Sequence, residues 1–162
     1  MNSSERTGLI SGVVDVLKFS YRFRPWVGKP IGHTYGGKAV LDSNDSPAFA
    51  ELALIPIMKQ PGFDGALWVD SYRKCFRDAM PPAKCELPPK VRLVYERIAN
   101  INGGTRGCWD VVAWKGDELQ FVECKRKGRD RLTENEIRWL ESAIHAGFSL
   151  VNFAICEWNV ES

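Results

Sequence analysis

The segment Gly107-Cys108-Trp109-Asp110-Val111-Val112-Ala113-Trp114-Lys115-Gly116-Asp117-Glu118-Leu119-Gln120-Phe121-Val122-Glu123-Cys124-Lys125 sets two apolar runs, rich in β-branched and aromatic residues, on either side of a short polar turn containing glycine. That pattern predicts an antiparallel hairpin. Asp110 stands at the start of its first strand, and Glu123 and Lys125 stand near the end of its second. Residues two apart on a strand project to one face, so Glu123 and Lys125 point together. The turn folds Asp110 back toward them, so two carboxylates and an ammonium meet at one end of the hairpin. Charges that close an apolar strand are costly to bury unless they pair or bind a metal.

Such a set suits phosphodiester hydrolysis. Carboxylate oxygens are the hard ligands that Mg²⁺ prefers, and Mn²⁺ substitutes for it. Asp110 and Glu123 are the candidate ligands, with the main-chain carbonyl of Cys124 as a further oxygen. A bound cation lowers the pKa of its water, and Lys125 would orient or deprotonate that water and neutralise charge at phosphorus. The plainer readings are a surface Glu-x-Lys ion pair and a carboxylate that caps a strand.

Outward from the hairpin, Thr133-Glu134-Asn135-Glu136 is a capping box opening a helix to Ala146. Ile137, Leu140 and Ile144 share one face of it, and Gly147 stands at its end. His145 at that C-terminus is explained by the helix dipole. Phe148–Trp158 reads as a final strand. Upstream, Lys90–Ala99 is helical, with Val91, Val94, Tyr95 and Ile98 on one face. Ser46-Pro47 opens a helix to about Lys59, with Ser46 as N-cap, Pro47 in the first helical position and Pro56 kinking or ending it. Residues 60–65 form a turn and Ala66–Val69 a buried strand. Residues 71–88 are irregular, punctuated by Pro81, Pro82 and Pro88. Lys18–Arg24 alternates polar and aromatic residues as a half-buried strand does, and glycines 28, 32, 36 and 37 break any regular element after it. The order helix, strand, helix, hairpin, helix, strand is mixed α/β.

The chain of 162 residues, 44% hydrophobic and 26% charged, has the composition of an ordinary globular domain, and it contains no membrane-length apolar run. Its five cysteines form no Cys-x-x-Cys pair, and the first residues contain no signal-peptide core. This is the expectation for reduced thiols in the cytoplasm. The net charge is only +2, yet the stretch from Glu123 to Arg131 holds five basic residues against two acids. Within it Lys127, Arg129 and Arg131 are candidates to grip a nucleic-acid backbone, or else a solvated loop. His33 and His145 are too isolated for a zinc site. Gly36-Gly37-Lys38 lacks the frame of a phosphate-binding loop. Trp26, among Arg22, Arg24 and Lys29, is a candidate substrate-facing aromatic, whereas Trp114, Trp139 and Trp158 read as core.

Residues 107–114, Phe121-Val122-Glu123-Cys124-Lys125, and Gly128-Arg129-Asp130-Arg131-Leu132-Thr133-Glu134-Asn135-Glu136 with Trp139-Leu140 together resemble the VRR-NUC branch of the PD-(D/E)XK nucleases. The likeness covers about residues 103–158. It implies a restriction-endonuclease-like core, a mixed central sheet flanked by helices, in a nuclease domain at 46–162 with residues 1–45 as an extension packed on it. Also implied are Asp110 and Glu123 as metal ligands, Lys125 as catalytic lysine, and a further acid on an upstream helix. Glu51 is the better match for that acid and Glu96 the competitor. Three positions depart from the family: Trp109 replaces a usual Pro, Cys124 a usual aliphatic residue, and Glu136 a usual Gln. Glu136 would either add charge beside the metal or serve only the capping box.

The implied function is a Mg²⁺- or Mn²⁺-dependent DNA endonuclease acting on branched or flap DNA, cutting as a homodimer. The alternatives are a non-catalytic DNA-binding module of the same fold and a sequence-specific restriction or defence nuclease.

Overall fold

A computed structural model describes residues 2–9, 12–78 and 83–162. It is mixed α/β: ten strands in a mixed sheet and three α-helices among the described residues. The strands are β1 (Asn2–Leu9), β2 (Gly12–Pro25), β3 (Leu41–Asp42), β4 (Pro47–Ala48), β5 (Gly65–Asp70), β6 (Cys75–Arg77), β7 (Lys84–Cys85), β8 (Val111–Lys115), β9 (Glu118–Arg126) and β10 (Phe153–Val160). The helices are α1 (Ala50–Lys59), α2 (Pro89–Asn102) and α3 (Glu134–His145).

The expected hairpin is present as β8 and β9, with Val111 opposite Val122 and Lys115 opposite Glu118. Both strands are apolar on both faces because helices cover both faces of the sheet, which removes the polar alternation a one-sided strand would show. Alpha1 packs on one face over Ala66, Trp68, Val111, Ala113 and Val122. Alpha2 and α3 pack on the other over Leu67, Val112, Phe121 and Ile155. The sheet runs β4-β3-β2-β10-β9-β8-β5-β6-β7, with β1 paired to β2. Beta10 lies parallel to both β9 and β2, and the remaining pairings are antiparallel. Alpha3 makes the crossover from β9 to the parallel β10.

Three local expectations are corrected. The helix expected from Ser46 begins at Ala50, because Asp42 pairs with Pro47 and Leu41 with Ala48 across a tight turn. The Asp45 N–H donates to the Asp42 carboxylate in that turn, so Pro47 serves a strand and Phe49 takes the N-cap position. The helix runs on past Pro56 to Lys59. Residues 71–88 contain the short strands β6 and β7, the last of which ends the sheet, and both are too short to show periodicity. Pro81 and Pro82 lie outside the described residues. The last strand starts at Phe153, after a 3-10 turn at Leu150–Asn152. The strand expected at Lys18–Arg24 lies within β2, which shares the sheet with the hairpin.

Among the described residues no helix is long and apolar enough to cross a membrane. All five cysteines are free. Trp139 is fully buried, with its ring against Tyr95 and Phe121.

The position of α3 relative to the hairpin is fixed by two contacts ahead of β8. The Trp109 indole N–H donates to the Glu136 carbonyl (2.9 Å). Gly107, at φ +82°, lies so close to α3 that a Cβ there would collide with the Asn135 carbonyl. Both the left-handed backbone and the contact exclude a side chain. Gly107→Ala is therefore expected to lower the thermal midpoint by about 5 °C or more, read by circular dichroism, at about 2–4 °C per kcal/mol for a domain of this size. An unchanged midpoint would contradict the packing described.

Candidate active site

The hairpin ladder ends at the pair Val111–Val122, and just beyond it side chains replace backbone as hydrogen-bond partners. The Asp110 N–H donates to Glu123 Oε2 (3.0 Å), and the Cys124 N–H donates to Asp110 Oδ2 (2.9 Å). The Asp110 carbonyl accepts from the Val69 N–H of β5 (2.7 Å), which holds its backbone in place. Asp110 and Glu123 are thus locked to each other's strands where the two strands part.

Glu123 and Lys125 share the face of β9 that carries Phe121, the α3 side. Lys125 Nζ sits 3.0 Å from Glu123 Oε1 and 2.8 Å from Glu136 Oε1. That Glu136 oxygen also accepts the Thr133 N–H (2.9 Å), completing the capping box. One Glu136 oxygen therefore caps α3 and also binds the lysine beside Glu123.

Glu51, in the first turn of α1, reaches the site from the opposite face. It is buried, and Lys38 Nζ lies 2.6 Å from its Oε1. Glu96 lies elsewhere, exposed on α2 and paired with Arg92 (2.9 Å). Sequence reasoning missed Lys38 as a partner. The signal that could have found it is the glycine pair before it: Gly36 and Gly37 turn the chain with positive φ and deliver Lys38 to α1.

Burial, and next the charge of Glu51, push the Asp110 carboxyl up to about 7, against the Cys124 N–H and the Lys125 ammonium. Burial, then Asp110 and Glu136, raise Glu123 well above the carboxylate range, with Lys125 opposing. Burial also acts against the charged form of Glu136, but its hydrogen bonds with Glu123, Lys125 and Thr133 outweigh it and leave its pKa lowered. Lys125 and Lys38 are likewise disfavoured as cations by burial. The carboxylates around them reverse this, so both pKa values are raised.

Glu51, Asp110, Glu123 and the Cys124 carbonyl, which shares a strand edge with its own N–H, are oxygen donors, the ligand type that hard divalent cations take. Lysine ammoniums already supply positive charge to two of the carboxylates. Among the described residues no three His, Cys, Asp or Glu side chains are drawn together as a metal centre. Glu51 comes from the α1 face and Glu123 from the α3 face, and Asp110, at the parted strand end, interacts with both.

Lys127, Arg129 and Arg131 are exposed on the loop from β9 to α3. Arg129 and Arg131, with Arg6 and Lys18, line a groove of about 810 Å³ that also holds Glu5, Asp130 and Glu157. Trp26 is half-buried, and its indole N–H donates to the Lys29 carbonyl (2.9 Å) within its own turn. Searched against protein-family models, curated proteins and solved structures, the chain matches none.

A carboxyl whose pKa rises on folding stabilises the protein while protonated, and that contribution is lost as pH rises from about 4 to about 7. In EDTA, Asp110→Asn, which keeps the acceptor for the Cys124 N–H, should gain stability relative to the wild type between pH 5 and pH 8. Thermal unfolding at the two pH values measures this. A gap between variant and wild type that does not change with pH would exclude the assigned shift.

Proposed function

We propose that the protein is a Mg²⁺- or Mn²⁺-dependent endonuclease of DNA, with a restriction-endonuclease-like core of the VRR-NUC type. The observation that supports this reading is the meeting of Asp110, Glu123 and Lys125 where β8 and β9 part, with Asp110 lining an open pocket. Asp110, Glu123, Glu51 and the Cys124 carbonyl would hold the cation. When bound, it supplies a water of lowered pKa and offsets the charge that grows at phosphorus.

The chain's own groups do the rest. Lys125, held as an ammonium by Glu123 and Glu136, acts as a positive donor that orients the attacking water and meets the phosphoryl oxygens, not as a base. Glu136 fixes the ammonium from a helix terminus whose position Trp109 and Gly107 set. Lys127, Arg129 and Arg131 bind the phosphate backbone, which positions DNA without reading sequence. Branched or flap DNA is the substrate class the resemblance implies.

One observation favours a second reading, a DNA-binding module without chemistry. Glu51 is paired to Lys38, and Glu123 and Glu136 share Lys125, so each of these acids already has a cationic partner without any metal. Incubation with flap, junction and linear DNA plus Mn²⁺ decides between the readings. The nuclease reading expects cutting that Lys125→Ala lowers by about 10²–10³. Equal cutting by both proteins, or none by either, ends that reading.

Calorimetry with Mn²⁺ gives a measurement independent of turnover. Lys38→Met, which frees Glu51 of its internal cation, should bind Mn²⁺ at least about threefold more tightly than the wild type, and Asp110→Asn should lose binding. Weaker binding by the Lys38 variant would mean that Glu51 is not a ligand.

A further inference from the structure

Beside Asp110, on the α1 side of the sheet, a pocket of about 460 Å³ is lined by Tyr35, Lys38, Trp68, Tyr72, Arg73 and Asp110. None of its aromatic or cationic members apart from Lys38 takes part in the chemistry above. We infer that this pocket receives one unpaired nucleotide of the strand being acted on, its base against Tyr72 and Arg73 and its phosphate toward Lys38. The inference rests on the nuclease reading of the same site and deepens it by naming the substrate's local form.

The pocket combines flat rings with fixed cations. The Arg73 guanidinium carbon lies 4.4 Å from the Tyr35 ring centroid and 5.4 Å from that of Tyr72, within cation–π reach of both rings. It is held there by Asp70, which accepts the Arg73 N–H (3.2 Å), lies 3.6 Å from the guanidinium and is itself fixed by Arg77 (2.9 Å). Tyr35 is held in a costly conformation, φ +51°, with its N–H on His33 Nδ1 (3.0 Å) and its ring edge-on to Phe49 and Trp68. Strained backbone of this kind persists only where the surroundings over-determine it, and it clusters at ligand sites. Tyr72, in contrast, is 89% exposed. Its ring is offered to solvent one residue from the carboxylate-anchored arginine.

An occupant that satisfies all of these is planar on one side and anionic on the other. A base within a duplex has both faces covered by its neighbours, so only an unstacked base can lie on Tyr72 and the Arg73 plane. Lys38, 5.6 Å from the Trp68 ring, would then face the phosphate next to Asp110.

Fluorescence anisotropy of the full chain in EDTA, where nothing is cut, tests this with labelled oligo-dT, oligo-U and a blunt duplex. Tyr72→Ala should weaken single-strand binding about tenfold, Tyr72→Phe should restore it, and the duplex should change by less than about twofold. An abasic strand should bind the wild type as weakly as oligo-dT binds the alanine variant. The strand, deoxy or ribo, that shows the Tyr72 dependence is the source of the nucleotide. Equal binding by the wild type and Tyr72→Ala, an equal loss on duplex, or no strand binding by the wild type overturns the pocket. Tyr72-dependent binding without Mn²⁺-dependent cutting would overturn the nuclease reading and leave the pocket standing. Cutting without Tyr72 dependence would do the reverse.

Discussion

Where β8 and β9 separate, two side-chain-to-backbone hydrogen bonds take over from the ladder: Asp110 N–H to Glu123, and Cys124 N–H to Asp110. The site depends on this exchange. It satisfies backbone donors that the parting of the strands would leave buried and unpaired. It also brings two carboxylates into the protein interior, where burial raises both pKa values, Asp110 raises that of Glu123 further, and the ionised forms require cations close by. Lys125 and Lys38 answer that requirement from opposite faces of the sheet, one under α3 and one beside α1. The electrostatics of the site are set by the place where the hairpin stops being a hairpin.

The helix on the α3 side is not independent of that chemistry. A single carboxylate oxygen of Glu136 accepts both the Thr133 N–H and the Lys125 ammonium. Caps are worth about 0.5–2 kcal/mol, and charge-assisted hydrogen bonds are among the stronger ones, so the helix start and the lysine hold each other. The Trp109 indole and the close approach of Gly107 press the same helix turn toward the hairpin. A proline at 109 would have no indole to donate, and a glutamine at 136 would have no charge to place beside Lys125.

The features legible in the sequence were local ones. The hairpin announced itself because two apolar runs flank a turn that needs only neighbouring residues, and the capping box because Thr133 and Glu136 are three apart. Ser46-Pro47 misled for the same reason: the signal is local, but the chain around it is claimed by pairing between Asp42 and Pro47. Beta6 and β7 are strands of three and two residues, too short for any pattern. Of the site, Asp110, Glu123 and Lys125 were legible because the strand period fixes which residues project together. Glu51 came only through likeness to a family, and Lys38 and the Tyr35–Arg73–Tyr72 group not at all, since loops laid over the sheet bring them in.

Beta10 joins the two halves of the sheet, lying parallel to β2 on one side and to β9 on the other. Leu17 and Ala154, far apart in the chain, are partners in that ladder. High contact order of this sort makes folding slow, because the entropy of closing a long loop is spent before the pairing returns anything. On the ribosome, the β1–β2 hairpin would emerge with one edge open and wait there for residues 153–160. During that interval the open edge of β2 is a sticky template for other strands, and pairing with β10 is what closes it.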